Sequence, residues 1–170
     1  MIYTCTLNPS LDYYMEFDKE IQLHQTNRSA IDYFDAGGKG INVSIVLSNL
    51  GVPSKALGFV GGFTKEFYVT LLERHTYLQP NFTYTEGITR INVKAVQGLT
   101  TELNAAGPNI DVQAQEAFLK RVARVGEEDI FVLSGNVQTA LQDFIEEIIK
   151  DLASKGTKIV LDTDPTMLKR

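Results

Sequence analysis

The stretch AGGKGINVSIVLSNLG, residues 36–51, decides the fold. It opens on Gly37, Gly38 and Gly40, and then Val43, Val46, Leu47 and Leu50 recur at i, i+3, i+4 and i+7. That spacing marks one face of a helix, and Gly51 supplies a C-terminal stop. Directly after it, Lys55–Val60 (KALGFV) reads as a short buried strand. A glycine turn, a helix and a strand in succession are the unit from which α/β folds are built.

The same alternation extends to both sides. Ile2–Leu7, Ile130–Leu133 (IFVL) and Lys158–Asp162 (KIVLD) read as further buried strands. Between the last two, Thr139 and Gln142 have the spacing of a capping box. They precede a helix whose apolar stripe is Leu141, Phe144, Ile145, Ile148 and Leu152, ended by Gly156. The order predicts a largely parallel sheet with helices on its faces. Two segments break the pattern. Leu11, Tyr13, Met15 and Phe17 alternate with Asp12, Tyr14, Glu16 and Asp18, and Ile91, Val93 and Ala95 alternate with Arg90, Asn92 and Lys94. Period-two alternation means one apolar and one polar face, which a doubly covered parallel strand does not show. The expectation is a small antiparallel sheet beside the core, placed as a lid. Residues 1–10, 36–80 and 104–170 then form the core, and residues 11–35 and 81–103 the lid.

Composition narrows the function. The 170 residues carry 16 Lys and Arg against 21 Asp and Glu, a net charge of −5, with 44% hydrophobic and 22% charged residues. These are values of a globular protein, and the acidic balance argues against a nucleic-acid partner. The one cysteine, Cys5, lies in an apolar run and reads as a buried structural thiol. No apolar stretch approaches transmembrane length and the N-terminus is unlike a signal peptide, so a cytoplasmic protein with no membrane partner is expected.

Candidate site residues gather where strands end. Glycines at a helix start let backbone N–H groups approach an anion, which the helix dipole favours, and Lys39 adds a positive charge. The spacing fits neither a Walker A loop, since Gly40 follows Lys39, nor a dinucleotide fingerprint, since Val43 stands where a glycine is required. A turn that merely permits a tight bend stands beside the anion-site reading. Asp12, in Asn8-Pro9-Ser10-Leu11-Asp12, reads either as an acceptor for sugar hydroxyls or as a solvated turn carboxylate. Arg90 and Arg28, on lid segments, have the planar fork that suits phosphate, and the alternative is a solvated surface charge. Asn136 follows a strand's carboxyl end, where α/β ligands bind, or is an ordinary turn residue. His24 and His75 have no metal or triad context.

Together, Thr6-Leu7-Asn8-Pro9-Ser10-Leu11-Asp12, Gly37-Gly38-Lys39-Gly40-Ile41-Asn42-Val43-Ser44, Leu57-Gly58-Phe59-Val60-Gly61-Gly62-Phe63 and Thr89-Arg90-Ile91-Asn92-Val93-Lys94 resemble the phosphofructokinase-B type of ribokinase-like carbohydrate kinases. The last three read most like the 1-phosphofructokinases among them. The resemblance implies a ribokinase-like three-layer α/β/α core with a mostly parallel sheet, of which this is the N-terminal half, plus a small β-sheet lid. It implies ATP- and Mg²⁺-dependent phosphorylation of a phosphorylated ketose, fructose 1-phosphate first and tagatose 6-phosphate as the alternative. Asp12, Gly38, Lys39 and Asn42 would then hold the sugar. Arg90 would hold its phosphate with Arg28 helping, from its own or a partner's lid, Asn136 would line the crevice, and the lid would form a homodimer. Several positions depart from the family pattern: Ile45, Lys65, Gln138, Asp164 and Pro165. No Asn-x-x-Glu metal motif and no Gly-Ala-Gly-Asp motif occur, so the catalytic base and the Mg²⁺ ligands are expected in a C-terminal half outside this chain. A non-catalytic sugar-phosphate-binding or dimerisation module is the reading from another class.

Overall fold

The computed structural model describes residues 1–169. The core sheet runs β10–β9–β1–β4–β5, with β1 (Ile2–Thr6), β4 (Ser54–Gly61), β5 (Leu78–Pro80), β9 (Ile130–Ser134) and β10 (Lys158–Asp162) all parallel. A short β6 (Thr83–Thr85) continues the pairing along the far end of β4. Helices α1 (Lys39–Asn49) and α2 (Thr64–Leu72) cover one face, burying Ile41, Tyr68 and Leu72 against Ala56 and Val60. Helices α3 (Val112–Val122) and α4 (Gln142–Ser154) cover the other, where Phe118, Ile145 and Leu152 pack on Cys5, Phe59, Phe131 and Leu133. This is the expected three-layer arrangement. A short α5 (Pro165–Leu168) closes the chain, and Asp164 accepts hydrogen bonds from Thr166 N and Met167 N at its start.

A second sheet stands at the carboxyl end of the first, in the order β3–β2–β7–β8, from β2 (Ser10–Glu16), β3 (Ile31–Gly37), β7 (Arg90–Gln97) and β8 (Leu99–Asn104). It is mixed rather than antiparallel, because β2 and β7 pair in parallel. The reason is the exit geometry. Both strands leave the same edge of the core and run outward, while β3 and β8 bring the chain back. The two faces are as unlike as the alternation requires. Tyr13, Phe34, Val93 and Leu103 form one row, and Asp35, Asp12, Asn92 and Asn104 form a row on the opposite face.

Two local expectations change. Helix α1 does not bury Val46 and Leu50, which are 56% and 71% exposed. It buries Gly40, Ile41, Ser44 and Ser48 instead. The small face lets the helix sit close to β1 and β4, and its hydroxyls are satisfied there. Ser44 Oγ is 2.7 Å from Thr4 Oγ1 and accepts from Ser54 Oγ at 2.9 Å. The capping box is also absent. Thr139–Leu141 form a single 3₁₀ turn, and α4 starts only at Gln142 with no side-chain cap. Of the expected stripe, Leu141, Ile145, Ile148 and Leu152 are nevertheless buried, and Phe144 is partly so.

The close approach of α1 sets a test. A Cβ on Gly40 would stand 2.6 Å from Thr6 Oγ1 and 2.8 Å from the Cys5 carbonyl oxygen, and a strand backbone does not step aside. Alanine favours a helix over glycine by about 1 kcal/mol, while overpacking costs roughly 1–3 kcal/mol. We expect Gly40→Ala to lower the denaturant midpoint. Gly126→Ala, with nothing within 4 Å of the new methyl, serves as the control and should stay within about 0.5 kcal/mol of wild type.

Candidate functional site

The first strand and the first helix meet end to end. Thr6, the last residue of β1, accepts a hydrogen bond from Ile41 N at 3.1 Å through its hydroxyl. This ties one of the donors at the start of α1 to the sheet. The turn before it has Gly38 at φ 136°, a backbone angle that a side chain would strain, and no side chain caps the helix. Tyr68, fully buried on α2, donates from its hydroxyl to the Gly37 carbonyl at 2.9 Å and holds the turn from behind. Burial, and next the charges of Asp12 and Asp35, push that hydroxyl well above its ordinary value, so it acts as a fixed donor.

In front of this helix start lies a cleft of about 400 Å³. Gly38 and Lys39 form one wall, and Ser134, Gly135 and Asn136 after β9 form another. Asn8, Arg90 and the Ala105–Ala106 segment close it from the lid side. Arg90 is half-buried and oriented by backbone. Its Nε donates to the Asn8 carbonyl at 3.2 Å and its Nη1 to the Ala105 carbonyl at 3.4 Å. Burial lowers its guanidinium from the ordinary value, against the opposing pull of Asp12 and Tyr68. Two cations and an uncapped helix N-terminus in one concavity suit an anion.

Asp12 stands beside the cleft, against the glycine turn, since a Cβ on Gly37 would touch its carboxylate at 2.6 Å. The carboxylate is held by Ser10 Oγ at 2.7 Å and Asn92 Nδ2 at 3.2 Å, with Lys94 Nζ at 3.7 Å. Burial pulls the Lys94 ammonium down. The hydrogen bond to Glu102, at 2.8 Å, and the charge of Asp12 outweigh it, so Lys94 titrates above its ordinary value.

Of the residues singled out from sequence, Gly38, Lys39, Arg90 and Asn136 share the cleft, and Asp12 adjoins it. Asn42 lies one turn into α1, on its exposed side and outside the cleft lining. Arg28 is exposed on the loop joining β2 to β3, at the outer end of the lid, where residues 17–30 enclose a separate cleft of about 470 Å³. Sequence reasoning passed over Asn8, whose Nδ2 donates to Ala106 O at 2.8 Å and whose buried Oδ1 has no partner. It also gave no role to Asn92 and Lys94. Their signal was the alternation itself, which puts both on the polar face with Arg90. The cleft lining contains no carboxylate and no imidazole. Among the described residues no group of three His, Cys, Asp or Glu is placed to hold a metal ion, so a Mg²⁺ site does not fit the residues present, and no helix is long and apolar enough to cross a membrane.

A family model, "pfkB family carbohydrate kinase", matches residues 8–169. The chain is 44% identical over 163 residues to the 1-phosphofructokinase of Bacillus subtilis, covering 95% of this chain and 53% of that protein. It is 29% identical to the D-tagatose-1-phosphate kinase of Bacillus licheniformis, over 99% of this chain and 55% of that one. Among solved structures, phosphofructokinase-2 from Escherichia coli, in complex with substrates and products, superposes with a TM-score of 0.91 at 25% identity. That match covers 98% of this chain and 55% of the other. The chain thus spans about half the length of the curated relatives it matches.

An anion cleft of this kind is testable without any nucleotide. Inorganic phosphate at ten times its Kd should stabilise the fold by about 1.4 kcal/mol, which raises the melting temperature by roughly 3–6 °C. Chloride at matched ionic strength should not reproduce the shift. Arg90→Ala should abolish it, and a shift that survives this substitution places the anion elsewhere.

Proposed function

Because the chain belongs to the pfkB family of carbohydrate kinases, we propose that it forms the acceptor-sugar side of an enzyme converting fructose 1-phosphate and ATP to fructose 1,6-bisphosphate and ADP. The observation that carries this reading is the pairing of a cationic cleft, Arg90 with Lys39 at the α1 N-terminus, with the fixed carboxylate of Asp12 beside it. A sugar phosphate has the complementary shape, an anion at one end and hydroxyls at the other. Arg90 binds the 1-phosphate, Lys39 and the helix start complete its charge, and Asp12, Gly38 and Asn136 take the hydroxyls, while Asn42 stands outside the cleft. Arg28 reaches this site from a second copy, in a homodimer formed through the lid. The lid row of Tyr13, Phe34, Val93 and Leu103, with Leu103 61% exposed, supports that assembly.

In the reaction the sugar 6-hydroxyl oxygen forms a bond to the terminal phosphorus of ATP, the bond from that phosphorus to the ADP oxygen breaks, and the hydroxyl proton goes to a base. The cleft lining supplies no such base. Phosphoryl transfer rests on positioning and charge neutralisation. The cleft residues contribute positioning, and in this reading ATP, Mg²⁺ and the base are taken by residues other than these. Tagatose 6-phosphate is the second substrate reading, and the similarity to a D-tagatose-1-phosphate kinase keeps tagatose phosphates within the substrate test.

Two measurements check this. In the enzyme carried to the length of its relatives, losing a charge-assisted contact costs about 2 kcal/mol, or roughly thirtyfold in affinity. Arg90→Ala should therefore raise KM for fructose 1-phosphate about that much and leave KM for ATP within twofold, and an unchanged sugar KM removes Arg90 from the site. Residues 1–170 alone should release no ADP from ATP with fructose 1-phosphate and Mg²⁺. Turnover comparable to the longer enzyme contradicts the placement of the base. A longer enzyme that binds the sugar without turnover supports the non-catalytic module instead.

A further inference from the structure

Resting on the reading of the site just given, we infer that Asn92 is a positioning residue that ties the Asp12 carboxylate to the Arg90 guanidinium, so that the two substrate-binding groups move as one unit. Asn92 is 5% exposed, near the start of β7, two residues after Arg90 and directly opposite Asp12 in the β2–β7 register. Both ends of its amide are used. Nδ2 donates to Asp12 Oδ1 at 3.2 Å, and Oδ1 accepts from Ala105 N at 3.2 Å. The far side of the same Ala105 residue, its carbonyl, accepts from Arg90 Nη1. A continuous path therefore runs from carboxylate to amide to backbone to guanidinium.

The partners also fix which way the amide points. Turning it over would set its oxygen against the Asp12 carboxylate and its NH₂ against the Ala105 N–H, losing both bonds and adding a repulsion. The Ala105 segment is where the lid returns to the core after β8, and Asn8 holds the next residue, Ala106, from the core side. Displacing Ala105 thus shifts the carbonyl that orients Arg90, although Asn92 itself makes no hydrogen bond to the guanidinium. Lys94 and Glu102 extend the row outward and steady the other oxygen of Asp12, but they do not reach Arg90. Asn92 thus bonds both to Asp12, at the hydroxyl-binding end, and to Ala105, whose carbonyl orients Arg90 at the phosphate-binding end.

The test is calorimetric titration of this chain with fructose 1-phosphate, using wild type, Asp12→Asn, Arg90→Ala, the double variant, and each of these again with Asn92→Ala. A second series uses Asn92→Asp, which keeps the side-chain volume and the acceptor for Ala105 N–H but turns a carboxylate toward Asp12. We expect Asn92→Ala and Asn92→Asp each to weaken binding about tenfold in protein that still melts near wild type. We also expect the combined loss from Asp12→Asn and Arg90→Ala to fall short of the product of the separate losses, and this shortfall to shrink when Asn92 is replaced. The Arg90 Nε–H resonance should move in Asn92→Asp without ligand, which a purely structural effect confined to β2 would not produce. If Asp12→Asn and Arg90→Ala weaken binding but both Asn92 variants bind within twofold of wild type, or if the shortfall is unchanged, the inference is overturned while the site stands. If wild type, Asp12→Asn and Arg90→Ala do not differ, the reading of the site falls and takes this inference with it.

Discussion

The hydrogen bond from Ile41 N to Thr6 Oγ1 is the joint on which the site depends. It fastens the start of α1 to the end of β1, and it is possible only because Gly38 and Gly40 let the helix come so near. A Cβ on Gly38 would meet the Thr6 methyl at 2.8 Å, so the same contact explains both glycines. Once the helix start is fixed there, its remaining first-turn donors face the mouth of the sheet. The Ser44 hydroxyl cluster with Thr4 and Ser54 continues the contact one turn further along the helix. The position of the anion cleft is thus a consequence of how closely one helix can pack on one strand.

The lid answers to a different constraint. Its strands begin at the carboxyl ends of the core strands, so the residues at their roots, Ser10, Asp12 and Arg90, are delivered to the cleft by topology. Their orientation comes from polar rows across the sheet. Asp12 opposes Asn92 and Tyr14 opposes Lys94, and Lys94 reaches both Asp12 and Glu102. Half-buried charges are expensive unless paired and hydrogen-bonded. Here Asp12, Lys94 and Glu102 each have a partner on a neighbouring strand, so satisfying these charges also registers the strands.

Much of this was legible in the sequence, and what was missed has a physical cause. The alternation of buried strands with helices gave the layered core, and the period-two segments gave the separate sheet, because burial on two faces or on one leaves distinct patterns. The buried face of α1 differs from the periodic one because hydrophobic periodicity counts Val46 and Leu50 but does not count Ser44 and Ser48, which are buried through hydroxyl bonds that sequence does not display. The parallel β2–β7 pairing was hidden because it depends on two strands far apart in sequence leaving the same sheet edge. Among the residues that line the cleft, Gly38, Lys39 and Asn136 stand in glycine or strand-end contexts that the sequence displays. Asn8 and Asn92 act through side-chain bonds to Ala105 and Ala106, and nothing local marks such a partnership.

An acidic protein that binds a phosphorylated ligand must still overcome its own charge. With 21 acidic against 16 basic residues the long-range field opposes an anion, and at physiological ionic strength that field fades beyond about 8 Å. What decides binding is therefore the arrangement inside that radius. The cleft carries Arg90, Lys39 and the helix start. The nearby carboxylate of Asp12 is not left bare, because Ser10 and Asn92 donate to it and Lys94 stands 3.7 Å away. A bare carboxylate there would repel the phosphate, whereas a compensated one keeps acceptor capacity for hydroxyls at little electrostatic cost. The site is consequently polar along one axis, cationic at Arg90 and accepting at Asp12. On the reading proposed above, a ligand with a phosphate at one end and hydroxyls at the other has one favourable way to lie in it, and that orientation would decide which hydroxyl is left to react.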